Sequence, residues 1–517
     1  MGASGHLLHS GTYERIPLMA NTAREVIASA PGVEFPAEVP ASTAVKSAPF
    51  VFLSALSATD WESGLADGAW ADEGLPLHGD SPYAYETRAV YEKIGAVLEA
   101  AGSGYDQSVQ ITQWGSSYNT AGPAVAGGAA PSGWRPTTDA DPAGPDLTRA
   151  SKDRDQRALF FEKYRGILTP YLATRNEFLT VDRPASTMMP VDRLLCADTH
   201  FDVELVALQN DSGITKRVFE HDISSPLGGY SMAIAAGPWL FTAGMTAVRM
   251  RGGSADALAG GAHDARGQES WGGPSPGVLV PDWVWYGNQV ANEVADILTQ
   301  LKLNVEAADG RWEDVVKARI YCTPNGIANL PAIEQVWREF WPENPPARGI
   351  IPVTAIGGAA FGNIEIDLIV ARTNHGNAIE RIRDGKFLPQ LGHAMPAIRA
   401  SNLLFLSTQQ GRTAHGAVED NVQQRRHFPH LRRAVRDEIG RIQENVQMLC
   451  EAAGTTIENT VKADLIFDDF ADLDSGLNAW SGAFGRGYPA SAFVECPPGA
   501  NEVPGCGVTA DVTVHCD

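Results

Sequence analysis

Leu301-Lys302-Leu303-Asn304-Val305-Glu306-Ala307-Ala308 ends in a Glu-Ala-Ala triplet that the chain repeats at Glu99-Ala100-Ala101 and at Glu451-Ala452-Ala453. Working upstream from each triplet, apolar residues recur at helical spacing: Val90, Ile94, Val97, Leu98 and Ala101 in the first copy, and Ile442, Val446, Leu449, Cys450 and Ala453 at the same offsets in the third. The middle copy carries Val290, Val294, Ile297, Leu301, Val305 and Ala308, with Asn304 in one apolar place. Downstream, each triplet leads through a short turn into a strand-like run, Ser108 to Thr112, Val315 to Ile320 and Thr460 to Ile466. An apolar strand pair precedes each helix, its clearest members being Phe50 to Ser54, Trp239 to Thr242 and Asn402 to Ser407. A second helix follows, near Ala158 to Ile167, Leu330 to Trp341 and Leu473 to Phe484. After it come a Pro-Ala dipeptide (Pro184-Ala185, Pro346-Ala347, Pro489-Ala490), a strand and a final alternating strand.

A threefold internal repeat is the simplest account of this order. It predicts an α+β chain of three tandem β-β-α-β-α-β-β units, residues 30–212, 213–376 and 377–517, behind an N-terminal extension, 1–29. Helices on one face of a sheet leave the other face apolar, so single units are expected to depend on one another. The copies differ by insertions at 116–155, 249–285 and 412–436, the first two rich in Gly, Pro and Ala as surface loops or lids are. The middle insertion carries Trp271, Trp283 and Trp285, which suits a ligand-lining loop or one docked on its own domain.

Composition narrows the partners. The 517 residues hold 40 Lys plus Arg against 62 Asp plus Glu, a formal net charge of -22 that repels polyanions, so no nucleic acid is expected. No apolar run reaches the roughly 18 residues of a membrane helix, and Met1 to Tyr13 lacks a signal-peptide layout. The expectation is a soluble, cytoplasmic protein with no membrane partner. Gly2 is not read as a myristoylation site, because His6 stands where that motif wants Ser or Thr. Cys196, Cys322, Cys450, Cys496, Cys506 and Cys516 form no C-x-x-C pair and read as free thiols of a reducing compartment. His427 and His430 flank a proline, which spoils a helical ligand pair, so no metal and no other cofactor is expected.

The repeated unit resembles the RidA/YjgF family of imine and enamine deaminases. In the middle copy Leu227 to Ile234 is similar to the family's I-G-P-Y-S-Q-A-V opening, and Leu301 to Ala308 to its L-K-A-I-L-E-A-A helix end. Pro345-Pro346-Ala347-Arg348 and Ile364 to Ala371 resemble its P-P-A-R and I-E-I-E-A-I-A. The resemblance implies a chorismate-mutase-like fold in which three units pack as a trimer around a central β-barrel with ligand sites in the clefts. Here one chain supplies all three, an intramolecular pseudo-trimer expected to be a monomer or a dimer of that form.

The same resemblance points to residues. Arg348 corresponds to the family arginine that holds the substrate carboxylate, and its counterparts are Ser186 and Ser491, which lack the charge. Tyr230 matches the opening tyrosine, replaced by Ala41 and Ala394. Glu365 stands at the water-activating carboxylate, where the other copies have Asp202 and Thr509, and Gly244 matches a substrate-orienting glycine. Glu334 occupies the place of a helix asparagine that the third copy keeps as Asn478, Ala243 replaces a serine, and Ile350 replaces a small or thiol residue. The expected site is therefore Glu365, Arg348 and Tyr230 for catalysis, with Gly244 and Asn478 helping to bind substrate. The implied reaction is hydrolysis of an imine or enamine carboxylic acid, without metal, acting on a larger intermediate of specialised metabolism. Two alternatives stay open: another tailoring reaction on this scaffold, such as ring opening, cyclisation or condensation, and a non-catalytic binder of small carboxylates. The residue-level alternatives are a surface ion pair for Arg348, a solvated face for Glu365 and packing for Tyr230. A Ser-Lys hydrolase is disfavoured, since Lys317 and Lys462 match each other but Gln110 breaks the set.

Overall fold

The computed structural model describes residues 24–66, 68–69, 81–116, 168, 170–219, 229–247, 288–356, 362–414, 416–417, 434–485 and 487–517. The expected helix near Ala158 to Ile167, the three Trp of the middle insertion, His427 and His430 lie outside them, as do most residues of the three insertions.

Each Glu-Ala-Ala triplet marks a helix end. The helices Pro82–Ala100, Gln289–Ala307 and Ala434–Ala452 all run 19 residues and bury the apolar stripes that the spacing demands. Asn304, the polar member of the middle stripe, is buried with them. The fifth residue of each helix is a buried glutamate that accepts backbone N–H groups: Glu86 from His200 and Phe201, Glu293 from Asn363, Glu438 from Gly507. Burial pushes the Glu293 and Glu438 carboxyls up to about 7 against these hydrogen bonds. The second helices are Leu330–Phe340 and Leu473–Ser481, and residues 170–178 are helical in the first third.

Three sheets share one strand order. In the middle sheet the hairpin Ala233–Ala236/Trp239–Thr242 pairs with Ile364–Ala371, then Val315–Cys322, then, in parallel, Ala347–Pro352. The first and third sheets repeat this with Ala185–Val191 and Ala490–Glu495 in the last place. An additional outer strand, absent from the sequence expectation, precedes each hairpin: Glu25–Ile27, Lys216–Phe219 and Ile379–Ile382. The first of these falls inside the stretch assigned to an N-terminal extension.

The sheets meet in a cycle. Ser231 and Gly244 donate backbone N–H to the Pro184 and Ser186 carbonyls at 3.2 and 3.1 Å. Met395 and Thr408 do the same to Pro346 and Arg348, both at 3.1 Å, and Ser42 and Ala55 to Pro489 and Ser491 at 3.1 and 3.0 Å. First sheet thus joins second, second joins third, and third joins first. The expected closed β-barrel is not found among the described residues. The sheets remain separately hydrogen-bonded, because each junction is a backbone pair rather than a ladder, extended at one of them by Arg193–Leu194 pairing with Val494 and Glu495.

Side chains fill the space between. One apolar cluster draws on all three sheets through Phe50, Phe52, Trp239, Phe241, Leu403 and Phe405. Beside it, Lys317 pairs with Asp511 of the third sheet and Lys462 with Glu204 of the first. Gln110 holds the corresponding place in the first sheet, and among the described residues its Nε2 has no hydrogen-bond partner. Asp367, the acid it would face, is held instead by Arg319 through two 2.9 Å bonds and by Thr187. The cavity among these groups measures about 40 Å³, room for a few waters. No helix among the described residues is long and apolar enough to cross a membrane.

Candidate active site

Strand alternation separates the two residues on which the expected site rests. Ile364, Ile366, Leu368 and Val370 pack under the helices, so Glu365 and Asp367 face the other side of the sheet. Ile350 also packs under the helices, which puts Arg348, two residues before it, on that covered side, with its guanidinium 5.8 Å over the Trp337 ring. Arg348 and Glu365 therefore project from opposite faces and belong to different junctions.

Arg348 sits at the junction of middle and third sheets. Only 5% exposed, it donates to Glu334 at 2.6 Å, Glu502 at 3.3 Å and the Leu391 carbonyl at 3.1 Å. Burial raises Glu502, opposed by the charges of Arg348 and Arg412. Burial also acts on Glu334, yet Arg348 and the His393 N–H outweigh it and hold that carboxyl below its usual range. Thr509, where the middle sheet has Glu365, is tied to Gln410 at 2.6 Å and Asn501 at 2.7 Å. Asn478 is exposed and bonds back to Asp474 of its own helix.

Glu365 sits at the junction of first and middle sheets. It is 4% exposed, and among the described residues no hydrogen bond reaches its carboxyl. Burial first, and the neighbouring Asp367 charge second, push it well above the ordinary range. Gly244 lies against it: a Cβ at that position would collide with Glu365 Oε1 and come within 3.0 Å of Thr187 Oγ1. The Gly244 N–H is held by Ser186, whose hydroxyl accepts from Gln113 Nε2 at 2.8 Å. Half-buried Tyr230 packs between the helix-side core and the shared cluster, next to Ser231, which bridges to Ala185. Gly244 thus lies against Glu365, Tyr230 adjoins the Ser231 backbone contact at the same junction, and Arg348 and Asn478 lie elsewhere.

A guanidinium that sequence reasoning missed borders this cleft. Arg175, on the helical stretch 170–178, is 2% exposed and donates to Gln113 Oε1 at 3.0 Å, and to Ser186 Oγ, Asn176 Oδ1 and the Gly229 carbonyl at 3.4 Å each. The available signal was its spacing, nine residues before Pro184, as Trp337 stands before Pro346 and Trp480 before Pro489. At the third junction, Asp202 occupies the Glu365 place. Burial pushes it up to about 7, and its Oδ1 has no partner among the described residues. Among those residues no group of three or more His, Cys, Asp or Glu is placed to hold a metal ion.

Comparison with known proteins singles out the middle third. Residues 282–372 match the family model described as Endoribonuclease L-PSP, the stretch that contains both Arg348 and Glu365. No curated protein matches the chain. Among solved structures, RidA from the Antarctic bacterium Psychrobacter sp. is 21% identical over 26% of this chain and 98% of its own, with a TM-score of 0.22. Yeast Mmf1 is 12% identical over 31% and 99%, with a TM-score of 0.22. A chorismatase is 10% identical over 79% of this chain and 93% of its own, with a TM-score of 0.41.

Proposed function

We propose that the chain hydrolyses an imine or enamine carboxylic acid in the cleft between Ser186 and Glu365. The carrying observation is the setting of Glu365: a buried carboxyl pushed well above the usual carboxylate range by burial and the Asp367 charge, in no hydrogen bond among the described residues, pressed against the backbone at Gly244. Enamine substrate first tautomerises to the imine, for which an undissociated carboxyl is the proton donor to carbon. That transfer, or transfer of the same proton to the nitrogen of an imine substrate, leaves an iminium and the Glu365 carboxylate, which takes a proton from the water that adds to the C=N carbon. The resulting carbinolamine collapses as Glu365 returns the proton to nitrogen. The C–N bond breaks, the carbonyl forms, and a keto acid and ammonia leave. No redox partner is required.

The match of residues 282–372 supports this reading, since it covers the strand of Glu365. The three sheets with one strand order and their cyclic hydrogen bonds support three tandem units, 30–212, 213–376 and 377–517, as an intramolecular pseudo-trimer in which one junction keeps the chemistry. The test is to generate imines in situ from a panel of amino acids and to follow keto-acid and ammonia release. Acceleration by the protein, lost in Glu365→Gln, is the expected result. No acceleration for any imine overturns the proposal, and a product other than keto acid and ammonia moves it to a different reaction at the same carboxyl.

A further inference from the structure

We infer that Gly244 and Thr187, which meet across the junction of first and middle sheets, are the positioning pair of Glu365: the glycine gives the long carboxyl its place and the threonine fixes the acid beside it. This deepens, and rests on, the reading of that cleft as the active one. A Cβ on Gly244 would collide with Glu365 Oε1 and lie 3.0 Å from Thr187 Oγ1, so the carboxyl fills the space that a side chain on the hairpin would take. Thr187 belongs to the first third and follows Ser186, whose carbonyl accepts the Gly244 N–H. Its hydroxyl donates to Asp367 Oδ2 at 2.9 Å, and Arg319 holds the same carboxylate from the neighbouring strand through two 2.9 Å bonds. Tyr321, opposite Glu365 in the ladder, adds a 3.3 Å bond to Asp367. Asp367, Arg319 and Tyr321 are thus the titratable groups beside Glu365 on its own sheet, and Thr187 brings a neutral hydroxyl from the other wall.

The other two junctions divide side chains between the same two positions differently. Between middle and third sheets the order is reversed: the strand has Gly349 and the hairpin has Thr408, whose Cγ2 would lie 3.3 Å from a Gly349 Cβ. The Thr408 hydroxyl accepts the Ile350 N–H at 3.2 Å, and the acid position is Thr509. Between third and first sheets both positions are alanine, Ala55 and Ala492, and the acid is one carbon shorter, Asp202. Acid length therefore follows the size of the hairpin residue: glutamate with glycine, aspartate with alanine, no acid with threonine. In a close-packed interior a methyl and a carboxyl cannot share one volume, which makes the pattern a steric coupling. At the Glu365 junction the bulk stands on the strand side, where the Thr187 hydroxyl reaches a carboxylate instead of a backbone amide. The first third thereby holds Asp367 in place beside the carboxyl of the second.

Positioning can be read apart from turnover. Full-length protein labelled with carbon-13 at its glutamate carboxyls is titrated by NMR, with the Glu365 signal assigned by its loss in Glu365→Gln, and hydrolysis of imines generated in situ is measured in parallel. Gly244→Ala is expected to move the Glu365 signal and to lower kcat about tenfold to a hundredfold with KM within about threefold, as a small misplacement of a reacting group does. Shortening the acid then reverses sign: Glu365→Asp slows the parent protein but speeds the Gly244→Ala variant, because the shorter side chain clears the new methyl. Asp367→Asn is expected to lower the Glu365 titration midpoint, since a like charge is removed and Arg319 is left unpaired. The exchange Gly244→Thr with Thr187→Gly, which rebuilds the arrangement between middle and third sheets at equal volume, keeps the test open should Gly244→Ala not fold, and it is expected to fold and to lose turnover. Additive effects of Gly244→Ala and Glu365→Asp, or full turnover in the folded exchange variant, overturn the pair. A Glu365 signal that moves in Gly244→Ala without turnover of any imine by the parent protein supports the pair and discards the hydrolysis. Turnover that Gly244→Ala leaves unchanged keeps the hydrolysis and discards the pair.

Discussion

The Glu365 and Arg348 clefts are built on the same backbone contacts and carry opposite electrostatics. At one, the Gly244 N–H meets Ser186 and the acid opposite is a carboxyl that burial pushes well above its usual range and that has no hydrogen bond among the described residues. At the other, the Thr408 N–H meets Arg348, whose charge is consumed by Glu334 and Glu502, and the acid position has become a hydrogen-bonded threonine. A buried charge with matched partners is a strut, whereas a buried acid without them holds reactivity at a cost to stability. The comparison teaches that an arginine after Pro-Pro-Ala does not by itself mark an open cationic site. What surrounds the group decides.

The comparison breaks most easily at Glu365. Glu365→Gln is expected to lower imine hydrolysis about 10²- to 10⁴-fold with the fold intact, while Thr509→Val at the matching position leaves the rate within about twofold; steady-state kinetics on both variants checks this. Next comes Arg348→Ala, expected to cost about 3–5 kcal/mol in urea unfolding because two carboxylates lose their shared cation, with little change in the turnover of what remains folded. Activity lost in proportion to nothing but Arg348 would reverse the assignment of the two clefts.

The third junction sharpens the contrast through pH. Asp202 titrates near 7 in the folded state and near its ordinary value of about 3.9 when unfolded. The unfolded chain releases this proton first, so this group's contribution to stability is fullest below about pH 4, falls as pH rises, and is lost above about 7. Glu293 and Glu438 act in the same direction over the window from about 4.5 to 7. Asp202→Asn is expected to shrink the stability difference between pH 5 and pH 8 by about 1–3 kcal/mol, measured by urea midpoints at both values. The smallest effect belongs to the central space: Gln110→Met removes a buried donor that has no acceptor among the described residues and is expected to change stability by less than about 1 kcal/mol, whereas Lys317→Met at the equivalent place costs several times more.

Much of the fold was legible because it depends on local period. Helical spacing into each Glu-Ala-Ala and alternation after each Pro-Ala are short-range patterns, and three copies made each one a check on the others. The outer strands Glu25–Ile27, Lys216–Phe219 and Ile379–Ile382 escaped notice since they are short and only partly buried, so no apolar alternation marks them. The site was half legible. Gly244 and Glu365 lie against each other, each on a strand that the repeat made readable. Arg348 does not join them: Ile350 and Ile351 are both apolar, so alternation in that strand does not say which face the arginine takes. Arg175 was hidden by its own charge, because a helix position filled by Trp in two copies reads as core, and an Arg there breaks the apolar pattern that would have aligned it.

The cycle of sheets has a consequence for how the chain is made. Ala55 and Ser42 find their carbonyl partners at Ser491 and Pro489, and Arg24 binds the carbonyls of Thr460 and Gly487, contacts that span well over four hundred residues. A ribosome that has finished the first third has therefore produced a sheet with one apolar face and no companion for it, and elongation at about 5–20 residues per second leaves that face waiting for tens of seconds. The acidic surface that repels polyanions also keeps such unfinished chains from adhering to one another, and the last strand to emerge, Val508–His515, completes the third sheet against which the first must dock.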